Sequence, residues 1–153
     1  MKKSIFITIS VFVFISSCGQ SKNQVSEIEA KNMLKKFYTT YNKVWSNTSN
    51  PDILVKKIDS LKAIYCTLNL TNKIKKQFKL EGLDHDLLTI DQVADLNQIE
   101  KLLVTKDSVK PNVYIVSYIE DYTNPSNKKE FKMAIIHVAV VKDKSGYKID
   151  SVW

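Results

Sequence analysis

From Ser26 onward the apolar residues fall at helical spacing. Ala30, Leu34, Phe37, Tyr38, Tyr41, Val44 and Trp45 advance in steps of three and four, which puts them on one stripe of a helix. Ser26-Glu27-Ile28-Glu29 has the form of a capping box, so the helix is expected to begin with Ser26 at its N-cap. Asn50-Pro51-Asp52 signals a second start: a capping side chain, a proline at the first helical position, and an acid near the positive end of the helix dipole. Leu54, Ile58, Leu61 and Tyr65 carry its stripe. A short third helix is expected around Leu70, Ile74 and Phe78, ending near Gly82.

The second half changes period. Val113 to Ile119 is rich in branched and aromatic residues, as strands are. Asn124-Pro125-Ser126-Asn127 breaks the run, and Phe131 to Val141 forms the next strand. That strand is apolar at both odd and even positions, which predicts a central place with both faces covered. Lys142 to Gly146 reads as a hairpin turn and Tyr147 to Trp153 as the last strand, with an additional edge strand over Ile99 to Thr105. Helices followed by strands predict an α+β fold. Two to three N-terminal helices pack on a C-terminal antiparallel sheet of three to four strands, in a single domain over residues 26–153.

The segment before Ser26 has a different character. Lys2 and Lys3 precede Ile5 to Ile15, a nearly uniform apolar run of eleven residues. As a helix it would rise about 16 Å, well short of a bilayer core of roughly 30 Å. It therefore reads as the apolar region of a signal peptide over residues 1–17. Ile15-Ser16-Ser17-Cys18 resembles the lipobox of bacterial lipoproteins, whose usual form is Leu-Ala/Ser-Gly/Ala-Cys. The resemblance implies a diacylglycerol on the Cys18 sulfur, cleavage before Cys18 and acylation of the new amine. One acyl chain anchors only marginally, whereas two or three on one residue hold firmly. Residues 18–25 are polar and small, as a tether would be. Gly19 does not match the aspartate of inner-membrane retention, and no acidic surface-export signal follows Cys18. The expected location is the cell envelope, lipid-anchored at the outer membrane and facing the periplasm.

Composition narrows the chemistry. The 153 residues include 23 basic ones, all lysine, against 16 acids, a balance of +7. Arginine, the residue of base readout and bidentate phosphate clamps, is absent. With an envelope anchor this argues against nucleic acid, and the lysines read as solvated faces suited to anionic headgroups. Two cysteines, one assigned to lipid, leave no internal disulfide, and Cys66 reads as a small buried hydrophobe.

The lipobox, the early Phe37-Tyr38-x-x-Tyr41 run, the mid-chain Asp86-Leu87-Leu88-Thr89-Ile90-Asp91 and the closing Gly146-Tyr147-Lys148-Ile149-Asp150-Ser151-Val152 together resemble the YbjP-type family of envelope lipoproteins. Tyr147 stands where tryptophan is commoner, and Ile90 where glutamine often precedes the aspartate. The resemblance covers roughly Ser26 to Trp153. It implies a nuclear-transport-factor-2-like cone, helices over a curved sheet, in a domain with no established activity.

The densest polar cluster is Asp84-His85-Asp86 with Asp91 close behind. It reads as a cap, Asp86 fitting the start of a turn before Leu87-Leu88, or as a cation or acid–base site. His137, inside an apolar strand, reads as a packed core histidine or as a ligand or base in the cone. Tyr114, Tyr118 and Tyr122 recur on one strand face; with Tyr147 and Trp153 they line a pocket or partner surface, or form the core under the helices. No Gly-x-Ser-x-Gly, His-Glu-x-x-His, Walker or Cys-x-x-Cys motif occurs, and no cofactor or metal is expected. The expected function is a non-enzymatic, membrane-anchored accessory module that binds an envelope protein, inhibitor- or immunity-like in its specialised form. The alternative is a small-molecule binder or enzyme built around a cone-shaped pocket.

Overall fold

The computed structural model describes residues 22–81, 86–89, 99, 101–123, 126 and 128–153. Among the described residues three helices, α1 (Lys22–Asn47), α2 (Pro51–Tyr65) and α3 (Leu68–Glu81), precede four strands, β1 (Leu103–Lys106), β2 (Val113–Thr123), β3 (Lys129–Asp143) and β4 (Gly146–Val152). All strand pairs are antiparallel, in the order β1-β2-β3-β4. The expected α+β arrangement, helices first and sheet after, is the one observed. No helix among the described residues is long and apolar enough to cross a membrane.

Helix α1 already includes residues 22–25, so it overlaps the segment assigned to the tether, and Ser26 lies inside the helix rather than at its N-cap. The acids of the expected capping box serve other partners. Glu27 pairs with Lys31 at 2.8 Å and Lys106 at 3.5 Å, and Glu29 with Lys142 at 3.2 Å. Lys31, one turn along, holds the Glu27 carboxyl below its usual range.

The later helix starts follow the sequence. Asn50 caps α2 by accepting from the Ile53 N–H at 3.1 Å, with Pro51 at the first position. Thr67 opens α3: its Oγ1 accepts from the Leu70 N–H at 3.2 Å and donates to Asp150 at 2.9 Å. Its own N–H bonds to the Ile149 carbonyl at 2.8 Å, which ties the helix start to β4. At the β3–β4 turn Asp143 accepts from both the N–H and the hydroxyl of Ser145, and Gly146 takes φ +122°, a conformation that side chains disfavour.

The core lies between the helices and one face of the sheet. Leu34, Phe37, Tyr38 and Tyr41 from α1 meet Val116, Ile136, Val138 and Ile149, all fully buried. Phe37 packs against Tyr38 and Tyr41 with ring centroids 5.0 and 5.2 Å apart, the first edge-on. Strand β3 is central, as expected, but the reason differs. Its even positions Ile136, Val138 and Val140 are buried, while Met133 is 60% and Ile135 51% exposed. Helices cover one face, and among the described residues the opposite face stays open. The edge strand also shifts, from the expected 99–105 to Leu103–Lys106.

Candidate functional site

The sheet separates the residues that the sequence grouped together. Tyr114 and Tyr118 point inward with Val116; both are buried, and the Tyr118 hydroxyl donates to the Thr89 carbonyl at 3.0 Å. They belong to the core, and Tyr114 also touches a small cavity of about 260 Å³ with Glu27, Lys106 and Tyr147. The Tyr122 side chain lies outside the described residues. Trp153 stands on the other face of the sheet from the tyrosines. Its ring stacks on His137 at 5.8 Å and 15°, and the Lys110 ammonium sits 5.2 Å over it. His137 pairs across the strand with Ile115 on this open face and is half-buried under Trp153. It is therefore neither a core histidine nor a group in the interior, because β3 alternates and odd positions face outward.

Asp86 goes the other way. It is 8% exposed, and its Oδ2 accepts from the Tyr41 hydroxyl while its Oδ1 accepts from the Leu88 N–H at 2.9 Å. The carboxylate thus caps the turn 87–89 and ties it to α1. Burial, then the charge of Asp86, raises the Tyr41 phenol far above its usual value, so this hydroxyl stays protonated and donates. Asp84, His85 and Asp91 lie outside the described residues. Asp86 and His137 occupy opposite sides of the sheet and form no acid–base pair. Among the described residues no group of three His, Cys, Asp or Glu side chains converges to hold a metal ion.

Asp86 and Tyr41 border a cavity of about 450 Å³ between α1, α2 and α3. Its walls are apolar: Trp45, Leu54, Val55, Ile58, Ile74 and Phe78. The size falls within the range of small-molecule sites, roughly 300–1,000 Å³. The residue that sequence reasoning passed over is Lys62, which lines the cavity and is only 9% exposed. The signal was present. Leu54, Ile58 and Lys62 are spaced by four, so a cation occupies a stripe position of α2. Beside it Cys66 is buried, and burial pushes its thiol up to about 12 despite the opposing pull of Lys62 and Lys148, which removes it as a nucleophile at neutral pH.

Above the sheet's open face a shallower hollow of about 320 Å³ lies among Leu103, Ser117, Ile119 and Met133. It is apolar but carries no convergent polar group.

Comparison with known proteins bears on the fold. No family model matches the chain, and no curated protein matches it. A crystal structure of a protein of unknown function from Bacteroides thetaiotaomicron superposes with a TM-score of 0.67 at 24% identity, covering 84% of this chain and 93% of that one. The likeness shows that the α+β architecture recurs in a second protein.

Proposed function

We propose that this protein is a lipid-anchored, non-enzymatic binding module of the bacterial cell envelope, and that its folded domain takes an apolar ligand in the cavity between the three helices. The observation that carries this reading is the cavity itself: about 450 Å³, walled by side chains such as Leu54, Ile58 and Phe78, with Lys62 and Asp86 in its wall. Ligand sites combine such apolar walls with a few placed polar groups. The anchor rests on the lipobox-like run ending at Cys18, and kinship with YbjP-type lipoproteins rests on the motifs quoted above. Outer-membrane attachment facing the periplasm belongs to the same proposal.

Two experiments test it. In cells fed alkynyl palmitate, the wild-type chain takes up label and Cys18→Ala does not; equal labelling of both removes the anchor. For the cavity, the full chain carrying Trp153→Phe keeps Trp45 as its only tryptophan. Held in neutral phosphatidylcholine discs and titrated with dodecanol, it gives a saturable shift of Trp45 emission, which Val55→Phe weakens by narrowing the cavity. A shift that never saturates and ignores Val55→Phe is partition into the disc, and refutes the ligand site.

A second reading is favoured by the open sheet face, where Leu103, Met133 and Ile135 are exposed beside the cations Lys101 and Lys110. Its occupant is an envelope protein with an apolar surface and an acidic rim. A photo-crosslinker at Met133 yields one salt-sensitive adduct if this holds, and no discrete adduct if it does not.

A further inference from the structure

Building on the cavity reading, we infer that the ligand is a single-chain amphiphile with a carboxylate head, a fatty-acid-like molecule whose head pairs with Lys62. The stem of Lys62 is buried in the cavity wall while its ammonium keeps contact with solvent, and no ion pair or side-chain hydrogen bond among the described residues engages it. A cation at the edge of an apolar cavity with no protein partner is free to pair with an anionic head, and the pairing strengthens where the surroundings exclude water. The neighbouring acid does not fill that role: Asp86 already accepts from Tyr41 and from the Leu88 N–H.

The charge count of the cavity wall points the same way. Among the described residues Lys62, Lys75 and Lys79 line the cavity together with Asp59 and Asp86, three cations and two carboxylates. One negative charge balances the wall, which suits a carboxylate better than a phosphate monoester carrying about −1.5 to −2. The remaining lining is apolar and suits an alkyl chain.

A free carboxylate head distinguishes this ligand from the protein's own expected anchor, whose acyl chains are held in ester and amide links. The cavity lies at the C-terminal end of α1, at Tyr41 and Trp45. Lys22, the first described residue of α1, lies roughly 28 Å from Tyr41 along the helix at 1.5 Å per residue.

The test uses the Trp153→Phe full chain in neutral discs, with dodecanoate, dodecanol and acetate as probes. Dodecanoate is expected to shift Trp45 emission at lower concentration than dodecanol, and acetate not at all. Each methylene removed from the acid weakens binding about fourfold. Lys62→Met is expected to weaken dodecanoate at least about tenfold and to leave dodecanol nearly unchanged, while Lys62→Arg restores most of the acid's advantage. Partition into the discs is common to all variants and cancels in the comparison. Thermal unfolding of Lys62→Met shows that the domain still folds; should it not, Lys62→Gln supplies the neutral arm. If dodecanoate and dodecanol bind alike and the neutral variant changes neither, the carboxylate inference falls while the apolar site stands. If no probe gives a saturable shift, the site itself falls.

Discussion

Replacing Tyr41 by phenylalanine removes one buried hydroxyl and leaves the ring. Tyr41 is fully buried, and its ring stays packed 5.2 Å from Phe37 in the variant. What is lost is the donor to Asp86, a carboxylate that is itself 8% exposed. Hydrogen bonds to charged groups contribute about 1.5–3 kcal/mol, and the carboxylate left behind keeps only the Leu88 N–H among its described partners. A loss of about 2 kcal/mol is expected for Tyr41→Phe. At roughly 2.1 cal/mol/K of unfolding entropy per residue over about 130 residues, that lowers Tm by roughly 7 °C. Asp86→Asn keeps the shape and removes the charge. If the two groups act as a pair, the double variant loses less than the sum of the singles, with a coupling of about 1–2 kcal/mol. Urea unfolding followed by circular dichroism at neutral pH supplies all four corners of the cycle, and equal m-values confirm a common unfolded reference. A Tyr41→Phe loss below about 0.5 kcal/mol, or strict additivity, would show that the pair does not hold the turn 87–89 to α1.

Two further outcomes follow from burial. Cys66 is raised from 9.0 to about 12, and the Tyr38 and Tyr41 phenols are also raised, all chiefly by burial. The folded state keeps these protons after the unfolded chain has lost them. Stability is therefore full below pH 9 and falls as pH rises from 9 toward 12, and Cys66→Ala removes the thiol's share; urea midpoints that stay flat over that interval contradict the burial of these groups. On the open sheet face, Ile135→Lys is expected to change stability by less than about 0.5 kcal/mol because the residue is half exposed, and a loss of several kcal/mol in the isolated protein would mean that the face is covered.

The elements were legible because each repeats a period long enough to read. Leu54, Ile58, Leu61 and Tyr65 carry about three turns of one helix face, and Asn50 with Pro51 marks where it begins. The start of α1 was misread because Ser26-Glu27-Ile28-Glu29 satisfies the capping pattern wherever it sits, and only tertiary partners decide its use. Here Lys106 and Lys142 draw Glu27 and Glu29 outward. Strand β3 shows a different limit. Met133, Ile135 and Val141 are the same residue types as Ile136, Val138 and Val140, so alternation cannot say which set is covered. The number of helical layers decides it, and a single sequence does not count layers.

The candidate site was hidden for a related reason. Asp86 stood out in the sequence as part of an acidic cluster, yet its partner is Tyr41, 45 residues earlier. Lys62 disappeared among 23 basic residues, although it alone interrupts the apolar stripe of α2 at the i+4 step from Ile58. A surface lysine and a buried one look identical until the helix phase is fixed. Once it is fixed, the conflict between position and charge becomes the informative feature. A sequence optimised only for folding would place leucine or methionine at residue 62, with equal helix propensity and no ammonium to desolvate. On the proposal that an anionic head binds in the cavity, lysine is kept at residue 62 for that ligand and not for the fold.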